Sequence, residues 1–209
     1  MTEIILVRHG ETEWNVEEIY RGRIDVKLNG VGVKQAELLG RYLSNLKLGA
    51  IYCSPLKRAL DTANILAQYQ NVGVQVTDGL MDLNCGEWQG LSDEQVRKLY
   101  PALHEQWRVN PHLVKMPGGE KLEDVRERAL GVVDEAVSKH SGSVALVSHR
   151  VVNKVLICAL LGLDNSHFWN IKQDVCGITT LGYVRGRFIL TKHNDTAYLR
   201  GMGKSLRDF

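Results

Sequence analysis

The chain has 209 residues, 44% hydrophobic and 24% charged, with 26 basic against 24 acidic side chains and a formal net charge of +2. That is the balance of a soluble globular protein, and without a clustered Lys/Arg tract it excludes a nucleic-acid-binding footprint. The length suits a single domain over residues 1–209 that buries about 70% of its unfolded surface and needs no disulfide or metal staple.

Residues 3–8 are a continuous apolar run, the pattern of a strand buried on both faces. Residues 31–46 carry apolar side chains at helical spacing and open at Asn29-Gly30. A second strand is expected at 50–53, a helix at 56–69 behind Pro55, and a third strand at 72–77. Ser92 to Gln95 form a capping box that starts a helix ending near Pro101; another helix follows at 102–109. A Pro- and Gly-rich loop at 110–120 leads into a long helix at 122–139. Then come a strand at 143–147, a helix at 151–161, and a hairpin of strands 178–184 and 187–191 across Arg185-Gly186. Strands alternating with helices predict an α/β domain: a mostly parallel sheet with helices on both faces and an antiparallel edge. Residues 82–120 interrupt the alternation and are expected to form a helical lid.

Thr2, Glu3 and the few apolar residues after them do not make a signal peptide, and the apolar stretch at 155–161 is too short to span a bilayer. The four cysteines, Cys53, Cys85, Cys158 and Cys176, contain no C-x-x-C pair and read as reduced core thiols of a cytoplasmic protein. His104, His112, His140, His167 and His193 show no ligand spacing, so neither a metal nor another cofactor is expected. Trp88, Trp107 and Trp169 read as core.

Ligands of open parallel sheets bind beyond the carboxyl ends of the strands. The expected first strand ends in Arg8-His9, the second in Ser54 with Arg58 one turn into its helix, the third leads to Asp82, and the fourth ends in Ser148-His149. Two guanidiniums make a pocket for a phosphoryl dianion. A neutral imidazole there is a nucleophile, and a second, protonated imidazole donates to the equatorial oxygens. A carboxylic acid, with Asp82 as the candidate, protonates the leaving alkoxide; phosphate charge beside it favours its protonated form. The arginines supply the positive charge that a metal would otherwise bring.

The chain resembles the histidine phosphatase superfamily, also called phosphoglycerate-mutase-like. The opening motif L-x-R-H-G-x-T-x-x-N is matched by Leu6, Arg8, His9, Gly10, Thr12 and Asn15. "IYCSPLKRALDTANIL", "LMDLNCGEWQGL" and "VALVSHRVVN" follow in the family's order, and the closing "HNDTAYL" is similar as well. The resemblance implies that His9 is phosphorylated on a ring nitrogen, that Arg8, Arg58 and His149 form the phosphate pocket, and that Asn15 helps hold the phosphoryl group. It places Arg21 in a segment that lines the site and Asp82 at the proton-donor position, four residues before Gly86. Three departures stand out. The donor is more often Glu in the short phosphatases. Arg150 and Asn153 occupy a segment that is usually small, where a cation would favour an acidic substrate group. Cys85 replaces a His found in members that prefer phosphoserine, which weighs against that substrate.

The resulting expectation is a phosphomonoesterase with a phosphohistidine intermediate, acting without metal on a small phosphomonoester. α-Ribazole phosphate, a sugar phosphate, phosphoglycerate and phosphoserine all fit. The alternatives are a cofactor-dependent phosphoglycerate mutase and a non-catalytic phosphate-ligand binding module; the short chain favours hydrolysis, because the family's mutases carry insertions that close the site to water. No nucleic-acid or membrane partner is expected, and a homodimer is compatible with the sequence.

Overall fold

The computed structural model describes residues 2–202; Met1 and residues 203–209 of the expected domain lie outside them. Six strands, β1 (Thr2–Arg8), β2 (Leu48–Cys53), β3 (Val74–Val76), β4 (Gly142–Ser148), β5 (Ile178–Val184) and β6 (Arg187–Asp195), form one sheet in the order β3-β2-β4-β1-β5-β6. The first four in that order pair in parallel, β5 runs antiparallel to β1, and β6 returns antiparallel to β5. The β5–β6 hairpin turns at Arg185 and Gly186, both with positive φ (50° and 79°). A two-residue turn that follows the strands' twist demands this.

Alternation along the central strands builds a core on each face. Ile4 and Leu6 of β1 and Val144 and Leu146 of β4 pack with Val125, Ala129 and Val133 of α6 (Leu122–Lys139) and Val152, Val155 and Leu156 of α7 (Arg150–Leu160). Ile5, Val7, Ala145 and Val147 face Leu39 and Leu43 of α2 (Gly30–Leu43) and Ala59, Ala63 and Leu66 of α3 (Lys57–Ala67). The expected elements are present, with ends shifted by a few residues. The third strand shrinks to Val74–Val76, since only this part pairs with β2, at the sheet's exposed edge. The short helix α1 (Glu13–Val16) was not foreseen; four residues are too few for periodicity to register.

The segment 82–120 is helical, as expected, with α4 (Asp93–Leu99) and α5 (Pro101–Val109). Ser92 and Gln95 make the capping box of α4, and Pro101 takes the first position of α5. Trp88, Val96, Trp107 and Met116 from this segment join the core of α6 and α7, so it is a packed cap rather than a loose flap. Among the described residues no helix is long and apolar enough to cross a membrane.

Gly10 follows the motif's Arg-His pair and lies against the start of α2. A Cβ built there would stand 2.6 Å from the Gly32 carbonyl oxygen. Gly10→Ala must therefore push the strand end and α2 apart, and should cost about 1–3 kcal/mol as an overpacking change. Urea unfolding measures this; an unchanged midpoint would show that the two backbones are not held this closely.

Candidate active site

Strand register brings the two histidines together. Arg8 is paired with Ser148 across β1 and β4, so His9 and His149 leave adjacent strands side by side. Their ring centroids are 5.3 Å apart, tilted by 58°. β2 is the other neighbour of β4, and Ser54 at its end puts its hydroxyl 2.8 Å from His149 Nε2. Arg58, in the first turn of α3, is fully buried. Its guanidinium donates to the carbonyls of Ile24 (3.0 Å) and Gly22 (2.7 Å) and to Asp82 Oδ2 (3.1 Å). Arg8 donates to the Gln173 carbonyl (2.8 Å), and Arg21 to the Trp14 carbonyl (2.9 Å).

Each guanidinium thus donates to a backbone carbonyl of a different chain segment. The structure brings Arg8, His9, Arg21, Arg58, Asp82 and His149 into one charged neighbourhood: Arg58, Arg8 and Arg21 all act electrostatically on both imidazoles. Asn15 has a local task. Its Oδ1 accepts from both the N–H and the hydroxyl of Thr12 (2.9 Å each), closing the α1 turn that carries Trp14, the anchor of Arg21.

The chemistry of His9 follows from its contacts. Nδ1 is 2.6 Å from the Gly10 carbonyl, which can only accept, so Nδ1 carries the proton and Nε2 keeps its lone pair. Burial, then the charges of Arg58, His149, Arg8 and Arg21, hold the ring neutral well below the usual imidazole range. His149 is depressed too, by burial and then by Arg58, Arg21, Arg128 and Arg8. Without an anion in the pocket these surroundings favour the neutral His149; the expected imidazolium belongs to the site with a phosphoryl group bound. His149 Nδ1 and Arg58 Nε are buried without a hydrogen-bond partner among the described residues, and Asp82 Oδ2 lies between them, 3.7 Å from Nδ1 and 3.1 Å from Arg58. A buried polar atom left unsatisfied costs about 1–3 kcal/mol, which an oxyanion bound here would relieve. Burial also raises the Cys85 thiol, so it stays protonated and does not compete as a nucleophile.

Sequence reasoning overlooked the loop over residues 172–177. Besides the Gln173 carbonyl on Arg8, its Gly177 carbonyl accepts the Arg8 N–H (3.3 Å) and its Cys176 N–H donates to the His9 carbonyl (3.2 Å). The loop is pinned by the closing motif. Asn194 accepts from the Asp174 N–H and donates to its carboxylate (2.8 Å each), and the Tyr198 hydroxyl donates to the Cys176 carbonyl (2.5 Å). The signal was the family-like "HNDTAYL", but nothing local tied it to Arg8.

Asp82 and Arg21 also line a cavity of about 360 Å³ that continues under the cap. Trp107, Trp169, Met116 and Arg150 are among its other walls, so two tryptophans expected as core face this space. Asn153 is buried behind His149, and its backbone N–H bonds the His149 carbonyl. Among the described residues no group of three or more His, Cys, Asp or Glu could hold a metal ion.

Both site histidines have depressed folded-state values, so the unfolded chain takes up protons first as pH falls through about 6.5. Stability is therefore highest above that pH and declines below it, by about 1.4 kcal/mol per pH unit for each histidine. Urea unfolding between pH 7 and 5 should show this slope, and His9→Gln or His149→Gln should each reduce it by one proton's worth. An unchanged slope in both variants would mean that the imidazoles are protonated in the fold.

The chain and its fold are similar to known proteins. Residues 4–196 match the model of the histidine phosphatase superfamily (branch 1). Phosphoserine phosphatase 1 of Hydrogenobacter thermophilus is 38% identical over 200 residues, covering 95% of both chains. Among solved structures, Bacillus stearothermophilus YhfR superposes with a TM-score of 0.90 at 31% identity, covering 95% of this chain and 100% of that one. A mycobacterial glucosyl-3-phosphoglycerate phosphatase in complex with VO3 gives 0.87 at 28%, covering 93% and 99%. With a family match over nearly the whole chain and the same fold in these neighbours, the chain belongs to the histidine phosphatase superfamily.

Proposed function

We propose that the protein is a phosphomonoesterase that hydrolyses a small phosphorylated metabolite through phospho-His9, without a metal. The observation that carries this reading is the state of His9: an uncharged imidazole, its Nδ1–H fixed on the Gly10 carbonyl, set among buried arginines. A neutral imidazole with a free Nε2 lone pair beside a phosphate pocket is equipped to be a nucleophile. The relatives named as phosphoserine phosphatase and glucosyl-3-phosphoglycerate phosphatase support a small phosphorylated substrate.

In the first step the Nε2 lone pair of His9 forms a bond to phosphorus as the ester P–O bond breaks. Arg8, Arg58 and Arg21 hold the transferring oxygens, which is most of what phosphoryl transfer asks of a protein. The dianion offsets the burial and the repulsion that keep His149 neutral, so His149 is protonated as substrate binds and donates through Nδ1. Asp82 gives its proton to the departing alkoxide. In the second step water attacks the phosphorus, Asp82 takes its proton, the P–N bond breaks, and orthophosphate leaves with His9 neutral again. Asp82 is within reach of Arg58 and His149, so the acid stands at the edge of the phosphate pocket, facing the cavity.

General acid catalysis matters only for a poor leaving group. Asp82→Asn should cost about a hundredfold or more in kcat on alkyl phosphates and much less on p-nitrophenyl phosphate, with activity of the unaltered protein surviving EDTA. Phosphate release from the two ester types, with and without chelator, measures both. Equal losses on the two esters would make Asp82 a phosphate-site ion partner instead of the acid; loss of activity in EDTA, restored by a divalent ion, would refute the metal-free reading.

A further inference from the structure

We infer that Arg128 is a positioning residue for the proton donor: from α6 it fixes the backbone that carries Asp82, and so sets where that short carboxyl stands. The inference rests on the phosphatase reading for the role of Asp82.

The backbone before Asp82 comes first. Asp78–Leu80 make a tight turn, capped by the Thr77 hydroxyl, which accepts from the Gly79 N–H (3.3 Å). The four carbonyls from Gly79 to Asp82 all accept from side chains. Arg128 Nη1 donates to Gly79 (2.9 Å) and Met81 (2.6 Å), and Nη2 donates to Asp82 (3.1 Å). The hydroxyl of Ser148, the residue before His149, donates to Leu80 (2.8 Å). A carbonyl drawn away from water needs a donor, and here two side chains serve all four.

Commitment comes next. A guanidinium has five N–H donors. The two that Arg128 has left go to Glu120, Nε to Oε1 and Nη2 to Oε2, at 3.2 Å each. This is a bidentate fork, and it leaves the guanidinium one orientation. Glu120 Oε2 also accepts the Asn84 N–H (2.8 Å), and the Glu120 N–H donates to the Asn84 carbonyl (2.9 Å). Asp82 is thus held at its own carbonyl and again two residues on. Nor can the turn slide along α6: a Cβ on Gly79 would stand 2.5 Å from Val132 Cγ2 and 3.0 Å from the Arg128 carbonyl.

Reach decides the consequence. One methylene separates the Asp82 carboxyl from its Cα, so its place follows the backbone closely. Oδ1 accepts the Leu83 N–H (3.0 Å), which leaves Oδ2 3.1 Å from Arg58 and 3.7 Å from His149 Nδ1. A glutamate has a further torsion with which to absorb a shift of the backbone; an aspartate has not. A misplacement of about 1 Å costs a positioned group about a hundredfold. Arg128 also acts on His149 through its charge, so the test separates charge from position.

Rates on an alkyl phosphate and on p-nitrophenyl phosphate provide that test with the intact protein. Arg128→Gln should lower kcat about tenfold or more on the alkyl ester and less than about threefold on the activated ester, the signature of a displaced acid. A merely structural role would lower both alike. Arg128→Lys keeps the charge but brings three donors to five acceptors, and should show the same selective loss. It carries the test if Arg128→Gln does not fold. Added to Asp82→Asn, Arg128→Gln should cost the alkyl ester about twofold at most, since both act through one carboxyl. Equal losses on the two esters, full alkyl-ester activity in Arg128→Lys, or additive losses in the double variant would overturn the inference. A selective loss in Asp82→Asn without one in Arg128→Gln would sink this inference alone. Phosphate release from neither ester by the unaltered protein would sink the phosphatase reading alone, and a crystal structure of Arg128→Gln then decides the positioning. An Asp82 carboxyl displaced by about 1 Å or more supports it, and a carboxyl still in place beside Arg58 overturns it.

Discussion

Arg8, His9, Arg58 and His149 are at most 1% exposed, and every neighbouring element answers to the cost of burying cations beside imidazoles. A guanidinium out of water must keep its donors bonded or lose several kcal/mol. Here the carbonyls of Gln173, Gly22, Ile24 and Trp14 do that work. These neutral acceptors satisfy donors without cancelling the charge. Asp82 is bonded directly to Arg58, and removing it takes away an ionic partner of a buried guanidinium, a change that costs roughly 3–5 kcal/mol in comparable pairs. Burial first, and then the same cations, push both imidazoles toward the uncharged form, so in the proposed mechanism anion affinity and nucleophilicity are two results of one arrangement.

That arrangement also explains why the chain after β4 is needed for a site that the first half seems to complete. The loop over 172–177 holds Arg8 by side chain and backbone and His9 by its carbonyl; Asn194 and Tyr198 hold the loop. The antiparallel hairpin is therefore more than an edge. It carries the Asn194 anchor on β6, far in sequence from the strand end it supports. On the other side of the site the cap is fixed by Trp88 and Met116 in the core, and this keeps the Trp107–Trp169 wall in place beside Asp82.

Much of this was legible in the sequence, because the informative signals were local. Apolar runs ending in Arg8-His9 and Ser148-His149 identify buried parallel strands, and parallel pairing leaves their ends no choice but to meet. The Ser92 capping box and the Asn29 cap mark helix starts by side chains that bond the backbone within three residues. What could not be read depends on distant chain. Trp107 and Trp169 have the pattern of core residues, and only the approach of α5 to the turn over Asn165–Asn170 makes them a cavity wall. The bond from Thr12 to the Asn15 side-chain oxygen is a local one that the motif does not announce. The downward push on His149 could not be read either, because burial and four guanidiniums act on it at once, and no short stretch of sequence contains them all.

The central claim, that the neutral, buried His9 is the phosphoryl acceptor, is tested most directly by trapping the intermediate. Rapid quench with a substrate labelled in its phosphoryl group should yield a phosphoprotein that is labile to acid and stable to base, with the label on the peptide containing His9. His9→Ala should abolish the adduct. The same adduct persisting in that variant, or a label that is stable to acid, would contradict the account.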